Sequence, residues 1–298
     1  MATARDWVEG ARLRTLPAAT APVIVGTAAA ARLGAWSPGR ALLALAVALL
    51  LQIGVNFSND YSDGVRGADD DRQGPPRLTG GGLAAPRTVL AAAVACFAAA
   101  GVLGLVLVQL SGQWALAAVG VLAVAAAWFY TGGKHPYGYM GIGLSELMVF
   151  VFFGLVALVG TTWTQALSSP WWVWTLACGM GLISVDLLMV NNIRDLPSDA
   201  RVGKRTVPVR LGDHGSRLAY ALVMVLAVAA AVAGVAGSGV SAAVCAIVGA
   251  LCAAGALAPL LPVVRGAVGR ALIPSLRDTG LYALAWAGVV SVALVLAA

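Results

Sequence analysis

Two stretches of this sequence set oxygen-bearing side chains at helical spacing where a long apolar run gives out. In DLLMVNNIRDLPSDARVGKRTVPVRLG, residues 186–212, Asn191, Asp195 and Asp199 follow at intervals of four, so a continuous helix would stack them on one face. In NFSNDYSDGVRGADDD, residues 56–71, Asn56, Asn59, Asp60 and Asp63 fall at offsets of zero, three, four and seven, again one helical face. Such a donor set is all oxygen and suits a hard cation such as Mg²⁺, with Mn²⁺ as a substitute. Lys204, Arg205 and Arg210 stand directly behind the second stretch, and Arg66, Arg72 and Arg77 surround the first. Carboxylates that bind a metal beside fixed positive charge are suited to a diphosphate held through that metal. The competing reading for either stretch alone is a solvated acidic and basic helix end. Two copies, with polar groups at membrane depth where they are costly and usually functional, favour the chemical reading.

The elements that position them follow from composition. The chain has 298 residues, of which 60% are hydrophobic and 11% charged, against about 25% charged in soluble domains. Apolar runs of about 20 residues recur along its length, each able to cross a hydrocarbon core roughly 30 Å thick as a helix. Backbone groups in lipid must be satisfied within the segment, so open sheets are excluded. The expectation is an all-α, polytopic bundle of nine transmembrane helices, over 13–33, 40–58, 87–110, 114–131, 141–161, 171–192, 216–236, 241–262 and 279–297, forming one domain over 1–298. The charged N-terminus, MATARDWVEGARLRT, has no apolar core followed by a small-residue cleavage site, so the first helix is expected to stay attached.

Nine crossings put the termini on opposite sides. One side then holds seventeen of the nineteen cations, and the other keeps only Arg32 and Arg40. The cation-rich side marks the cytoplasm of a cell membrane, which places the N-terminus and both Asp-rich stretches inside. The net charge of +6 thus has a topological origin, and no nucleic-acid partner is implied. Turns on the other side, such as SGQ at 111–113 and GSG at 237–239, are short and only close hairpins. One working face argues against a transporter, which needs groups on both. Cys96, Cys178, Cys245 and Cys252 fall inside the spans with no CxxC pair and read as small apolar packing residues.

A diphosphate site inside a bundle of apolar helices implies a substrate that also carries a long hydrocarbon, with membrane lipid as its surroundings. The chemistry this suggests is ionisation of an allylic diphosphate, the cations stabilising the departing pyrophosphate and aromatic rings facing the allylic cation. The loop YTGGKHPYGYMGIG, residues 130–143, supplies Lys134 for phosphate and Tyr130, Tyr137 and Tyr139 for the cation or an acceptor ring. Tyr137 has the rival reading of an interfacial anchor. Glu146 lies about a turn into the fifth span and faces either the cavity or a cation. His135 has no second His nearby and reads as a solvated loop residue.

Taken together, NDYSDGVRGADDD, YTGGKHPYGYMGIG and NNIRDLPSDARVGKRTVPVRLG resemble the UbiA superfamily of intramembrane aromatic prenyltransferases, as does ARLRTLPAATAPVIVGTA in the first helix. The likeness spans nearly the whole chain and is strongest to the branch acting on 1,4-dihydroxy-2-naphthoate in menaquinone biosynthesis. It implies nine helices with Asp-rich motifs on the second and sixth, and transfer of a polyprenyl group from its diphosphate to an aromatic acid. For that acceptor, pyrophosphate and CO₂ would be lost to give demethylmenaquinol. It also implies that Asn59, Asp63, Asn191, Asp195 and Asp199 hold metal and diphosphate, and that Lys134, Lys204 and Arg205 contact phosphate. Asp63, Asp195, Lys134 and Tyr139 are the expected catalytic groups, with Arg72 a further diphosphate contact and Asn56, Asp60, Tyr130 and Glu146 behind them. Pro197 disturbs a helix interior, so the stacking of Asp199 on Asp195 is expected to be broken. Ser145 departs from the Gly expected there and has no assigned consequence. The alternatives are another acceptor (4-hydroxybenzoate, haem, chlorophyllide or a phosphoribosyl compound), or a non-catalytic carrier of quinone or lipid diphosphate using the same metal site. A carrier would release no pyrophosphate.

Overall fold

The computed structural model describes residues 2–67, 77–201 and 203–296; Asp69, Asp70, Asp71 and Arg72 therefore lie outside the described residues. A short helix, α1 (Ala4–Gly10), precedes α2 (Leu16–Arg32), α3 (Pro38–Val65), α4 (Pro86–Ser111) and α5 (Ala115–Thr131). Then follow α6 (Leu144–Ala166), α7 (Trp171–Arg201), α8 (Val207–Gly237), α9 (Ala242–Val264) and α10 (Ile273–Leu296). All regular structure among the described residues is helical. Seven helices are long and apolar enough to cross a membrane. The other two, α2 and α5, have 17 residues each, or roughly 26 Å at 1.5 Å per residue. The nine expected spans thus correspond to α2 through α10, while α1, closed by a Thr3–Asp6 capping box, was not anticipated.

Helix ends differ from expectation where polar sequence continues a helix. The second span was expected to stop at 58, yet α3 runs to Val65 and carries Asn56, Asn59, Asp60 and Asp63 on about its last three turns. The sixth was expected to stop at 192, yet α7 continues to Arg201 through Pro197. Proline in a helix removes one donor, here the one that would meet the Ile193 carbonyl, yet the helix runs on; beside it Ser198 Oγ donates to the Asp195 carbonyl at 2.8 Å and Arg201 Nε to the Pro197 carbonyl at 3.3 Å. The eighth helix begins at Val207 rather than 216 and bends at Gly212, whose φ of 71° lies in the left-handed region that glycine adopts freely. The last begins at Ile273 rather than 279. Residues Phe150–Val159 of α6 wind as a π-helix. There α6 crosses α7 closely: a Cβ on Gly154 would come 2.5 Å from the Gly181 Cα, so two glycines permit an approach that side chains would block.

The main core gathers α2 with α6 through α10, and α2 is its most alanine-rich member, with Ala19, Ala21, Ala29 and Ala30 buried. A smaller cluster of Phe57, Leu78, Val89, Ala93 and Phe97 joins α3 to α4 and to the loop between them. Side chains then tie each end of the bundle. At one end the only two cations assigned to that side cap helix C-termini: Arg32 Nη2 donates to the Ser238 carbonyl at 2.9 Å, and Arg40 to the carbonyls of Thr164 and Leu110 at 3.0 and 2.6 Å. Carbonyls at helix C-termini are unpaired and carry partial negative charge, so cations belong there. At the other end, Arg217 binds Asp213 and donates to the carbonyls of Val263 and Ala267, fastening α8 to the end of α9.

Candidate active site

The first Asp-rich stretch divides one helix face into two rows four residues apart. Asn56 Nδ2 donates to the Ala11 carbonyl at 2.9 Å and to Thr15 Oγ1 at 3.0 Å. Asp60, fully buried, accepts the backbone N–H groups of Leu78 and Thr79 at 3.0 and 2.8 Å. Both were expected as further residues behind the catalytic groups. The structure instead spends their polar atoms on holding the N-terminal segment and the α3–α4 loop. Asn59 and Asp63, in the adjoining row, meet other partners: Asn59 Oδ1 accepts Thr131 Oγ1 at 2.8 Å, and Asp63 Oδ1 accepts the Tyr139 hydroxyl at 2.5 Å. Arg66 locks this arrangement by donating to the carbonyls of Thr131 and Gly133.

Tyr139 sits in the single turn Tyr137–Tyr139 of the α5–α6 loop, and this loop is sewn to the one after α7. The Arg205 N–H donates to the Tyr139 carbonyl at 3.2 Å, and Arg210 Nη2 to the Met140 carbonyl at 2.8 Å. Gly141 makes the contact feasible, since its φ is +60° and a Cβ there would lie 2.1 Å from the Arg205 carbonyl oxygen. The Lys204 N–H donates to the Asp199 carbonyl, closing α7, and its ammonium lies 3.8 Å from Asp199 Oδ1 and 4.9 Å from the Tyr139 ring centroid. A continuous path thus runs from Asp63 through Tyr139 and Lys204 to Asp199. Burial, and then the charge and hydrogen bond of Asp63, hold the Tyr139 phenol above its ordinary range, so it stays a proton donor.

Pro197 does not separate the second stretch as its sequence suggested. Asp199 is buried, and the charges of Lys204, Asp195, Arg194 and Asp63 all reach it. Asp195 accepts Arg194 on both oxygens, with Nε 2.7 Å from Oδ1. Asn191 is half-buried on the same helix. Asp186, the remaining carboxylate of that stretch, is fully buried on the part of α7 whose charge reaches Tyr220 and Tyr282 instead, and takes no part here. Lys134 and Arg205 lie exposed at the rim. Tyr130 stacks edge-on with Tyr137 at 5.5 Å between centroids, and the charges of Glu146 and Asp63 both reach it. The Tyr137 hydroxyl donates to the Ala126 carbonyl at 2.7 Å. Two contributors had not been picked out from sequence, Arg194 and Thr131. Arg194 carried a signal in being a charge placed next to Asp195 at membrane depth.

These groups fit a divalent cation. The side chains offered by Asn59, Asp63, Asn191, Asp195 and Asp199 bring oxygen, and Asp199 Oδ2 is buried with no hydrogen-bond partner, an acceptor left for a cation or its water. Among the described residues no three His, Cys, Asp or Glu side chains form a ready cage. Mg²⁺ is commonly held by one or two carboxylates with phosphate oxygens and water completing its octahedron, and that is the arrangement an open set of carboxylates admits.

Residues 19–272 match the UbiA prenyltransferase family. The chain is 52% identical over 295 residues to 1,4-dihydroxy-2-naphthoate octaprenyltransferase of Mycobacterium tuberculosis, covering 99% of this chain and 98% of that one. It is 38% identical over 225 residues to the Escherichia coli K12 protein of the same name, covering 74% and 72%. Among solved structures, a UbiA homolog from Archaeoglobus fulgidus bound to GPP and Mg²⁺ superposes with a TM-score of 0.72 at 13% identity, over 97% of this chain and 99% of that one. A UbiA homolog from Aeropyrum pernix K1 gives 0.71 at 19% identity, over 93% and 97%. At these identities the two structures speak to the fold, which they share with this chain from end to end. With the family match covering most of its length and a full-length relative at more than half identity, the chain belongs to the UbiA prenyltransferase family.

Proposed function

We propose that this chain transfers a polyprenyl group from polyprenyl diphosphate to 1,4-dihydroxy-2-naphthoate, releasing pyrophosphate and CO₂ and giving demethylmenaquinol. The observation that carries the reading is the path from Asp63 through Tyr139 and Lys204 to Asp199, which joins two carboxylate-bearing helix ends at one end of an apolar bundle. The naphthoate acceptor is supported by the full-length likeness to the M. tuberculosis enzyme. In the reaction one allylic C–O bond breaks, one C–C bond forms, and the acceptor carboxylate leaves as CO₂.

Each residue has a task in this. Asn59, Asp63, Asn191, Asp195 and Asp199 would hold Mg²⁺, or Mn²⁺ in its place, and the bound metal would neutralise charge building on the leaving pyrophosphate. Lys204 is placed to meet the diphosphate from beside Asp199, and the exposed Lys134 and Arg205 to meet it from the rim. Arg72 belongs to the same group by its place in sequence. Tyr139, held by Asp63 from one side and Lys204 from the other, presents its ring to the site, and a π face stabilises a passing allylic cation. Tyr130 and Glu146, close enough for the charge of one to reach the other, would meet the aromatic acid.

The reading is tested by incubating the purified protein with labelled polyprenyl diphosphate and a panel of aromatic acids. Pyrophosphate release should appear with dihydroxynaphthoate and be at least on the order of tenfold slower with 4-hydroxybenzoate, the difference one misplaced polar contact makes. Release with another acid alone would reassign the acceptor, and no release with any acid would leave a carrier. We further propose that the chain is one domain in the cell membrane, surrounded by lipid, with the site on the cytoplasmic side, from the division of seventeen cations against two. Topology reporters placed after Ala298 and within 64–85 should report opposite sides, and agreement between them would overturn the nine-crossing arrangement.

A further inference from the structure

Each carboxylate on the path, and its neighbour Asp195, already has a protein partner: Tyr139 on Asp63, Lys204 on Asp199, Arg194 on Asp195. The third pairing differs in kind. Tyr139 uses one oxygen of Asp63 and Lys204 stands 3.8 Å from one oxygen of Asp199. Arg194 takes both oxygens of Asp195, through Nε at 2.7 Å and Nη2 at 2.5 Å. Adjacent residues on a helix do not face one another, so this guanidinium reaches its neighbour only by folding back along the helix surface. Its side chain is 11% exposed, against 32% for Asp195.

A guanidinium forked onto a carboxylate is among the stronger side-chain pairings, and the same fork fits a phosphate equally well. A divalent cation that approaches Asp195 meets a carboxylate already neutralised, and the repulsion of a fixed positive charge beside it. A diphosphate arriving with the metal removes both obstacles, because it offers the guanidinium another anion. The charge of Arg194 also reaches Asp199.

We propose that Arg194 is a built-in counter-ion for Asp195 that passes to the substrate diphosphate as a divalent cation takes the carboxylate, so that metal and diphosphate bind with positive coupling. The proposal rests on the metal–diphosphate reading above. It makes Arg194 a positioning residue, and it predicts weak metal binding to the free protein. Linkage requires the coupling to be reciprocal, each ligand tightening the other by the same factor.

The test is Mn²⁺ binding to the purified full chain, followed by electron paramagnetic resonance with and without geranyl diphosphate. No acceptor is present, so nothing turns over, and Mn²⁺–diphosphate mixtures without protein supply the background. For the unsubstituted protein, Mn²⁺ should bind on the order of tenfold tighter when the diphosphate is present. Arg194→Gln should tighten Mn²⁺ binding in the absence of diphosphate and lower the coupling factor several-fold, leaving only the part that comes from direct contact between metal and phosphate. Arg194→Lys keeps the charge without the fork and should retain part of the coupling, which also guards against a folding defect in the neutral variant. Arg201→Gln makes the same charge change at an exposed position on the same helix and should leave the coupling intact. Unchanged affinities and coupling in Arg194→Gln, or an equal effect in Arg201→Gln, would overturn the proposal. Absence of any bound Mn²⁺ in the unsubstituted protein, even with diphosphate, is a separate result that fells the metal reading itself and this inference with it.

Discussion

Asp63→Ala and Asp195→Ala are each expected to lower turnover by on the order of 10²-fold or more, the usual cost of removing one group that stabilises transition-state charge. Asp63 lies on the last turns of α3 and Asp195 on those of α7, where scarce water strengthens every electrostatic contact. Each also orients a partner, Tyr139 for Asp63 and Arg194 for Asp195, so the substitution loosens the neighbouring group as well. Turnover per folded molecule is the quantity to measure, with accumulation in membranes and the thermal midpoint as controls, because a charge left unpaired is itself destabilising. Asp60→Ala gives the contrast. Its carboxylate accepts the Leu78 and Thr79 N–H groups, and orphaning buried donors costs about 1–3 kcal/mol each, so this variant should lose thermal stability before it loses chemistry. Asp70→Ala should do much less than any of these, since two neighbouring acids can replace it. If folded Asp63→Ala and Asp195→Ala proteins transfer prenyl groups at nearly the normal rate, the paired-carboxylate mechanism is wrong and these acids are only solvated helix caps.

Removal of divalent metal should abolish activity altogether, a fall larger than that of either single variant and at least on the order of 10³-fold by comparison with the loss of one stabilising contact. Each Asp variant would delete one proposed ligand, whereas a chelator would delete the charge that all of them would position. Pyrophosphate is a poor leaving group until its charge is neutralised, and the chain's own cations cannot replace the metal: Lys204 is already shared between Asp199 and Tyr139, Arg194 is paired with Asp195, and Lys134 and Arg205 are exposed to solvent that screens them. Activity should return on adding Mg²⁺ or Mn²⁺. Ca²⁺ should occupy the site without restoring turnover, being larger and less demanding of octahedral geometry. Undiminished turnover in excess chelator would remove the metal from the mechanism.

The counter-ion inferred for Asp195 bears on how such a site avoids paying for its own charge. Carboxylates gathered near the end of an apolar bundle repel one another, and here Arg194 and Lys204 offset the charges of Asp195 and Asp199 while Asp63 accepts the Tyr139 hydroxyl. Those donors come from the loop after α5, from α7 itself and from the turn after α7. Metal and diphosphate would then enter a site whose negative charge is already partly offset.

Much of this molecule could be read from its sequence. Apolar runs fixed the number of long helices and their order, because a backbone in lipid has no partner but itself, and the intervals of three and four in each Asp-rich stretch put their acids on helix faces. The cation asymmetry separated working loops from plain turns. Helix ends were less legible, since α3 and α7 continue past the point where hydrophobicity stops, stabilised by contacts their own sequence does not announce. What only the tertiary structure decided was the division of labour among like residues. Asn56 and Asp60 share a helix face with Asn59 and Asp63, yet one row meets Ala11, Thr15, Leu78 and Thr79 and the other meets Thr131 and Tyr139. Periodicity sets the direction in which a side chain points, to within a fraction of a turn; it says nothing of which distant segment waits there. That depends on how the α5–α6 loop packs on the loop after α7, through Gly141 against Arg205, and so on contacts between residues far apart in the chain.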